Sequence, residues 1–399
     1  MLRRLAWCFW FLLGLVFYTY IGYGVVVALL VRLRPRRREL PAPEEADLPT
    51  LTIVVAAHNE ESCIVAKLEN CLQLDYPRDR LSLIFVTDGS TDSTVDLLTA
   101  YPVPEGVEFR VLHAPERRGK MAAMNRAMTQ VQTPIVVFSD ANTRLNTGAL
   151  RELARHFGDP HVGVVAGEKR VHYGNSAGVE GVGEGIYWRY ESRLKQLDAD
   201  LYTVVGAAGE LFALRTALYE EMPGDIILDD FYLSLRIAGR GHRVAYAAGA
   251  YSVEGHSESV GEEFKRRARN ASGGIQGILR MPGLLNPFAH GWLTFQYFSH
   301  RVLRWTITPL VLPLLFLLNG WLARQGGGVY SLFLAGQIGF YTMALLGRVT
   351  EQIGYRVKLF YIPYYFCVMN GAVYAGMWRL LRGRQSAVWE RTRRADTAR

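Results

Sequence analysis

Cysteine is scarce in this sequence, and the cysteines present do not form the patterns that bind zinc or build disulfide frameworks. Four occur in 399 residues, at Cys8, Cys63, Cys71 and Cys367, and no two of them have CxxC spacing. Cys8 and Cys367 lie inside hydrophobic runs. Neither a structural zinc site nor a disulfide-stabilised secreted domain is indicated, and the composition is typical of a reducing compartment.

Charge is absent from one long stretch near the amino terminus. No charged residue occurs from Leu5 to Val31, a run of 27 residues. About 20 apolar residues are enough for a helix that spans a bilayer, and the apolar region of a signal peptide is shorter. We therefore expect a transmembrane helix over residues 1–31. A basic juxtamembrane segment and a linker rich in proline and acidic residues follow it over 32–50.

The sequence also lacks the broad excess of positive charge that nucleic-acid binding requires. Of the net charge of +8, residues 32–39 contribute +4 and residues 379–399 contribute +5, so the rest of the chain carries −1. Each of these clusters borders a hydrophobic stretch. This distribution favours a multi-pass protein of the cell (inner) membrane with its main domain in the cytoplasm, and it argues against nucleic acid as a partner.

After the linker, short apolar segments alternate with helical patterns. Half of the residues are hydrophobic and 21% are charged, which excludes a disordered chain. Strands are predicted at Leu51–Ala57, Leu81–Thr87, Phe109–Leu112 and Ile135–Ser139, and helices near 61–72, 92–100, 119–130 and 147–157. This order predicts an α/β domain over 51–282, with a mostly parallel, Rossmann-like sheet covered on both faces.

The carboxyl-terminal part of the chain becomes hydrophobic again. We expect an interfacial helix over 283–301, about three transmembrane helices over 302–381 and a basic tail over 382–399. One helix before the α/β domain and three after it would place the tail opposite the first arginine cluster, against the positive-inside rule. Either one hydrophobic run does not cross the membrane or segment 284–300 does. The sequence leaves these alternatives open.

Polar residues follow three of the predicted strands, where parallel sheets bind ligands. The motifs are His58-Asn59-Glu60-Glu61, Asp88-Gly89-Ser90-Thr91-Asp92 and Asp140-Ala141-Asn142-Thr143, with Arg117-Arg118-Gly119-Lys120 between the last two. Carboxylates, a lysine and glycine-containing turns at one sheet edge suit a nucleoside diphosphate with Mg²⁺ or Mn²⁺. Each motif alone also has a simpler explanation, because Asp, Ser and Thr cap helices and a lysine can be solvated.

Taken together, the motifs resemble those of a known enzyme family. The matching segments are VVAAHNEE (54–61), VTDGSTDST (86–94), RRGKMAAMN (117–125), FSDANT (138–143), YWRYE (187–191), GAAGELFALR (206–215) and ILDDFYLSLRIAGRGHRVAY (227–246). They resemble family 2 glycosyltransferases with the GT-A fold, and the later segments are similar to membrane-bound cellulose, hyaluronan and poly-N-acetylglucosamine synthases. The resemblance covers roughly residues 50–280 and implies a GT-A domain with flanking transmembrane helices.

The resemblance implies roles for the residues at the strand ends. Asp88 corresponds to the aspartate that holds the base of the nucleotide sugar, and Asn59 and Glu60 belong to the same pocket. Lys120 is a candidate phosphate ligand. The metal motif DxD reads Asp140-Ala141-Asn142 here, so an amide replaces the second carboxylate. Asn142 can still offer an oxygen to a cation, and His256 is a further candidate metal ligand.

The resemblance also implies a general base. The family places it at the last aspartate of a triplet before an LSLRL-like helix, which is Asp230, with Asp229 as the neighbouring carboxylate that binds sugar or acceptor. A sugar hydroxyl is a poor nucleophile, so a carboxylate within hydrogen-bond reach can take its proton as it attacks the anomeric carbon. A helix cap is the alternative explanation for both residues.

One family motif is altered. Processive synthases carry QxxRW, whereas this chain has Arg266-Arg267-Ala268-Arg269-Asn270. Arg269 keeps the arginine position and could bind diphosphate. Arg266 replaces the glutamine and Asn270 replaces the tryptophan that is associated with the acceptor end, so processive synthesis is in doubt. The alternative explanation is a solvated charge run on an amphipathic helix.

These observations lead to one functional hypothesis and several alternatives. We expect a metal-assisted, inverting glycosyltransferase that moves a sugar from a nucleotide sugar, with a UDP-sugar as the expected donor, to a lipid-linked or polysaccharide acceptor. A processive synthase with accessory polysaccharide-export subunits is one alternative. A catalytically inactive assembly partner and a transporter-type membrane protein are the others. Binding of UDP with and without metal separates these possibilities.

Overall fold

The computed structural model describes residues 1–34, 41, 43–172, 179–255, 260–353 and 357–383, with all of their side chains except those of 172 and 179–187. Three features predicted from the sequence lie outside the described residues: the arginines of 36–38, His256 and the tail beyond residue 383.

The domain after the linker is built on a mixed sheet of eight strands. The strands are β1 (Leu51–Ala57), β2 (Leu81–Asp88), β3 (Glu108–Ala114), β4 (Ile135–Asp140), β5 (Arg144–Leu145), β6 (Val162–His172), β7 (Leu211–Arg215) and β8 (Arg243–Gly255). Their order is β3-β2-β1-β4-β7-β6-β8-β5. The first four are parallel to one another, and β7 runs antiparallel to β4 and β6. All four strands predicted from the sequence are present.

Helices cover both faces of this sheet. They are α2 (Ile64–Leu72), α3 (Thr94–Ala100), α4 (Lys120–Met128), α5 (Ala149–His156), α6 (Val179–Leu201), α7 (Asp229–Gly239) and α8 (Val260–Arg280). Every residue of β1 is buried, because successive side chains of a strand point to opposite faces and both faces are covered. Val54 and Phe138 belong to one hydrophobic cluster, whereas Ile53 and Val137 belong to the other.

Three helices in the described part of the chain are long and apolar enough to cross a membrane. Helix α1 (Leu2–Leu33) contains a π-helical segment at Tyr18–Gly22, and helix α9 (Trp292–Gly326) contains one at Phe298–Ile307. Helix α10 (Val329–Gln352) is the third. A 3₁₀ turn (Pro282–Leu285) and a single α-helical turn (Pro287–His290) precede α9.

Helix α9 runs without interruption through residues 301 and 302, where the sequence predicts a boundary between an interfacial helix and a membrane helix. The polar residues that suggested an interface are instead buried against the α/β domain. Gln296 and His300 are completely buried and both contact Asp198 of α6. Their polarity therefore reflects a tertiary contact and not the membrane surface.

The last described helix, α11 (Lys358–Leu381), differs from the three apolar helices. It is 24 residues long, but it does not reach the apolarity of a candidate span. It packs along α8, where Ser272 Oγ donates a hydrogen bond of 2.8 Å to the Gly376 carbonyl. Helix α11 thus joins the α/β domain to the apolar helices.

Candidate active site

The carboxyl ends of β1 and β2 are joined by side-chain hydrogen bonds. Asn59, whose φ is +54°, accepts a hydrogen bond of 2.8 Å from the backbone N–H of Thr91. Glu60 is buried, and its backbone N–H donates to Thr94 Oγ1 at 2.9 Å. Asn59 and Glu60 therefore lie at the sheet edge where the sequence placed them.

Asp88 fixes the loop that leads into α4. Its carboxylate accepts hydrogen bonds from the backbone N–H groups of Arg118, at 3.1 Å, and Gly119, at 2.6 Å. Gly89 and Arg117 pack so closely that a Cβ on Gly89 would lie 2.7 Å from Arg117 Cβ. These contacts place Lys120 at the first position of α4, pointing along the sheet edge.

Lys120 connects the predicted metal ligand Asp140 to the predicted catalytic carboxylate Asp229. Its Nζ lies 2.9 Å from Asp140 Oδ1 and 3.1 Å from Asp229 Oδ2. Burial disfavours the ammonium charge, but Asp140 and Asp229 outweigh this effect and raise the pKa of Lys120 above its usual value. The three residues come from the start of α4, the end of β4 and the start of α7, so they define one site.

Asp230 follows Asp229 in the first turn of α7, but neither aspartate caps that helix. The N-cap residue is Leu228, and no side chain caps the helix end. Burial and the neighbouring Asp229 raise the pKa of Asp230 to about 7, although Lys120 opposes the shift. Asp230 can therefore accept a proton near neutral pH. The helix-cap explanation of these residues does not hold.

The charge run on α8 is not a solvated surface. Glu263 pairs with Arg266 at 2.6 Å and Arg267 at 2.7 Å, and the two arginines hold the pKa of Glu263 below its usual range although burial raises it. Arg269 faces the cavity, and its buried Nε makes no hydrogen bond within the described residues. The position that keeps the family arginine is thus free to meet an anion.

These groups line a single cavity of about 560 Å³. Its lining includes one amide, Asn270, and the charged residues Lys120, Asp140, Asp229, Asp230, Glu210, Lys169, Arg266, Arg267 and Arg269. Apolar and aromatic side chains from α1, α9 and α11 also line it: Tyr20, Trp305, Ile362, Tyr365, Phe366, Met369 and Val373. The site is therefore open to a molecule with one polar and one apolar end.

Other predicted residues lie beside this cavity. Asp88 and His58 line a small adjoining cleft that shares Lys120 with the main cavity. Asn142 is half buried in the turn after Asp140. Among the described residues, no group of three or more His, Cys, Asp or Glu side chains could hold a metal ion. A cation here would need oxygen ligands from its substrate.

Several residues of the cavity were not predicted. Lys169 pairs with Glu210 and Glu254 and lies 5.4 Å from the centre of the Trp188 ring. Glu191, Lys195, Arg301 and Arg304 form another charged group. Arg301 and Arg304 lie at the start of a hydrophobic run, and this position could have revealed the group from the sequence. Charged residues in such a run usually pair with an opposite charge or take part in function.

Comparison with known proteins identifies the domain. The family model described as "Glycosyltransferase like family 2" matches residues 49–273, more than half of the chain. The chain is 28% identical over 242 residues to poly-beta-1,6-N-acetyl-D-glucosamine synthase of Staphylococcus aureus (strain COL), covering 59% of this chain and 57% of that protein. It is 24% identical over 251 residues to "Probable glycosyltransferase YdaM" of Bacillus subtilis (strain 168), with the same coverage. The chain thus spans little more than half the length of these relatives.

A solved structure extends the comparison to nearly the whole fold. The mannosyltransferase PcManGT from Pyrobaculum calidifontis, in complex with GDP-Man and Mn²⁺, superimposes with a TM-score of 0.73 at 22% identity. The match covers 96% of this chain and 100% of that one. This likeness confirms the predicted α/β fold. Because the family model matches more than half of the chain, the chain belongs to the family 2 glycosyltransferases, and its α/β domain has the GT-A fold.

Proposed function

We propose that the protein is a membrane-anchored, inverting glycosyltransferase that transfers one sugar from a UDP-sugar to a lipid-linked acceptor at the cytoplasmic face of the membrane. One observation carries this proposal: Asp230 and the Asp140–Lys120–Asp229 group line the same cavity as apolar residues of α11. A carbohydrate hydroxyl can thus reach the catalytic carboxylates while its lipid stays near the membrane.

In the proposed reaction, Asp230 takes the proton of an acceptor hydroxyl. The hydroxyl oxygen forms a bond to the anomeric carbon of the donor while the bond from that carbon to the diphosphate oxygen breaks, and the bonding electrons leave with the diphosphate. Because attack and departure occur on opposite faces of the sugar, the anomeric configuration inverts. Lys120 and Arg269 supply positive charge for the leaving diphosphate.

The residues present fit a divalent cation that is shared with the donor. Mg²⁺ usually binds through one or two carboxylates together with substrate phosphates and water, and Asp140 and Asn142 provide one carboxylate and one amide oxygen. Mn²⁺ accompanies GDP-Man in the PcManGT complex. When bound, Mg²⁺ or Mn²⁺ neutralises negative charge on the diphosphate. Asp88, Asn59 and Glu60 would hold the base of the donor.

A single transfer is favoured over processive synthesis. Arg269 and Asn270 of the altered QxxRW segment both line the cavity, so the place of the motif's tryptophan is taken by a small amide. The membrane-side wall comes from only three of the described helices, α1, α9 and α11. Such a wall suits a lipid chain that enters from the side more readily than a polymer that passes through the membrane.

Three crossings would also resolve the charge conflict in the sequence. Helix α1 would bring the chain into the cytoplasm, and α9 and α10 would cross outward and back. If α11 then lies along α8 at the membrane surface, the basic tail is on the same side as Arg32. That orientation agrees with the positive-inside rule.

The proposal is tested by a donor screen on the full chain in detergent with Mn²⁺ or Mg²⁺. Released nucleoside diphosphate is measured for a panel of UDP- and GDP-sugars with a membrane-lipid extract as acceptor, and product length is resolved on a gel. We expect turnover of one nucleotide sugar, a single added sugar and loss of turnover in Asp140→Ala. No turnover and no UDP or GDP binding across the panel would exclude the proposal.

A further inference from the structure

Lys195 is a buried cation that faces the cavity without a described partner. It retains 6% of its exposure. It lies one turn after Glu191 and two turns after Trp188 on α6, so the three residues share a helix face, and all three line the cavity. No hydrogen bond or ion pair joins Lys195 to another residue in the described part of the chain. Its ammonium faces the cavity, where an anionic ligand can reach it.

The neighbouring side chains do not neutralise this charge. Arg301 and Arg304 reach the same carboxylate, Glu191, at 3.0 Å and 2.9 Å. His300 also approaches Glu191 at 3.3 Å, although its closer partner is Asp198 at 2.6 Å. Among the described residues, Arg301 and Arg304 thus share the carboxylate of Glu191, and Lys195 pairs with no carboxylate. The local excess of positive charge suits an anionic ligand.

Apolar side chains continue from this charged group toward the membrane. Tyr190 Oη donates a hydrogen bond of 2.6 Å to the carbonyl of Tyr20, so the first apolar helix runs directly beside the cationic group. Phe366 of α11 lies 5.1 Å from Tyr20, ring centre to ring centre. Both Tyr20 and Phe366 line the cavity. A ligand held by the cations therefore meets an apolar wall on its other side.

The ring of Trp305 lies between the proposed base, Asp230, and the cationic group of Lys195, Arg301 and Arg304. The Trp305 ring is 5.1 Å from the ring of Phe231, the residue after Asp230, and 5.4 Å from the guanidinium carbon of Arg301. Both Trp305 and Asp230 line the cavity. A molecule that placed a sugar at Asp230 could therefore place a group attached to that sugar at Arg301 and Lys195.

We propose that Lys195, Arg301 and Arg304 form a second anion site, which binds the phosphate of a lipid phosphate-linked sugar acceptor. The sugar hydroxyl lies at Asp230, the phosphate at the three cations and the lipid chain along Tyr20 and Phe366. This proposal rests on the glycosyl transfer proposed above and names the acceptor class of the same site.

The test measures binding of three probes to the full chain in detergent micelles. The probes are a polyprenyl phosphate, the matching polyprenol and inorganic phosphate, and UDP binding is measured on the same samples. Lys195→Met keeps most of the apolar volume and removes the charge, whereas Lys195→Arg keeps the charge. Arg193→Met, at an exposed position of the same helix, is the matched control.

We expect the wild-type protein to bind polyprenyl phosphate at least about tenfold more tightly than the other two probes, and Lys195→Met to lose about tenfold of that affinity, the size of one charge-assisted hydrogen bond. Lys195→Arg and Arg193→Met should bind like wild type, and UDP affinity should be unchanged throughout. The inference would be overturned if polyprenyl phosphate bound no more tightly than polyprenol, or no more tightly than inorganic phosphate. It would also be overturned if Lys195→Met bound polyprenyl phosphate as tightly as wild type. If UDP binding itself is absent, the proposed function fails instead.

Discussion

The ammonium of Lys120 lies between Asp140 and Asp229, 2.9 Å from the first carboxylate and 3.1 Å from the second. This contact links the metal motif at the end of β4 to the aspartate pair at the start of α7. It also places a positive charge beside Asp230, whose pKa depends on its neighbours. In the proposed function, where Asp140 binds the donor and Asp230 is the base, one lysine therefore couples donor binding to base strength.

This coupling predicts opposite pH shifts for two substitutions. Asp230 must be deprotonated to act as a base, Asp229 raises its pKa and Lys120 lowers it. Lys120→Met should move the acidic limb of the kcat/KM profile to higher pH, and Asp229→Asn should move it to lower pH. Both variants should also be slower than wild type. Shifts in the same direction would contradict the proposed electrostatics.

The raised pKa of Asp230 has a consequence for stability. Its native pKa of about 7 exceeds the ordinary value of 3.8, so the native state binds this proton more tightly than the unfolded chain does. The stabilisation is complete below about pH 4 and is lost as the pH rises through 7. A shift of this size corresponds to roughly 4 kcal/mol at most.

Asp230→Asn removes the charge whose burial is unfavourable. The apparent melting temperature of this variant should exceed that of wild type at pH 8 and match it near pH 4. Asp225→Asn serves as a control, because Asp225 is exposed and its ion pair with Arg280 lies on the surface. If the melting temperatures of Asp230→Asn and wild type differed by the same amount at pH 8 and at pH 4, burial would not disfavour the charge of Asp230.

Much of the α/β domain could be predicted because its strands and motifs are recognisable in short, continuous segments of the sequence. The four parallel strands are short, mostly apolar runs, and the polar motifs that follow three of them mark one edge of the sheet. The contact between Lys120 and Asp229 could not be predicted from pattern alone, since it depends on where the start of α7 lies relative to the start of α4. The charged run of α8 was ambiguous for the same reason: its partner Glu263 and the overlying helix α11 decide which side chains are buried.

The cationic group of Lys195, Arg301 and Arg304 shows a different limit of prediction from sequence. Polar residues near Gln296 and His300 resemble those of an interfacial helix, but they are buried against Asp198. The composition of a segment shows that it is polar, but it does not show whether it packs against polar protein groups or faces the membrane surface. For this reason Arg301, Arg304 and Lys195 were missed.

The altered metal motif predicts that one added carboxylate will increase the apparent affinity for Mn²⁺. Asn142→Asp restores two carboxylates and should lower the Mn²⁺ concentration for half-maximal activity by about tenfold, the effect of one additional charged ligand. Asn142→Ala should raise it. A chelator should abolish activity in all forms, with recovery on addition of Mn²⁺. Identical metal dependence in the three proteins would place the cation elsewhere.

A glycine of α8 maintains the shape of the cavity, which is the acceptor site in the proposed function. A Cβ on Gly274 would lie 2.2 Å from the Trp305 ring, so alanine must displace that ring. We expect Gly274→Ala to raise the KM for the acceptor and to destabilise the protein by about 1–3 kcal/mol, as overpacking does. Gly320→Ala is the matched control in a helix, because nothing lies within 4 Å of its Cβ position. Equal acceptor KM values in the two variants would mean that Trp305 does not shape the site.

The central claim is tested most directly by the turnover of Asp230→Asn with the nucleotide sugar identified in the donor screen. The substitution keeps the shape of the side chain and removes its ability to accept the acceptor proton. The account predicts a fall in kcat of roughly 10²–10⁴-fold, the usual contribution of a general base, with the UDP dissociation constant unchanged. Turnover close to wild type at equal nucleotide occupancy would contradict it.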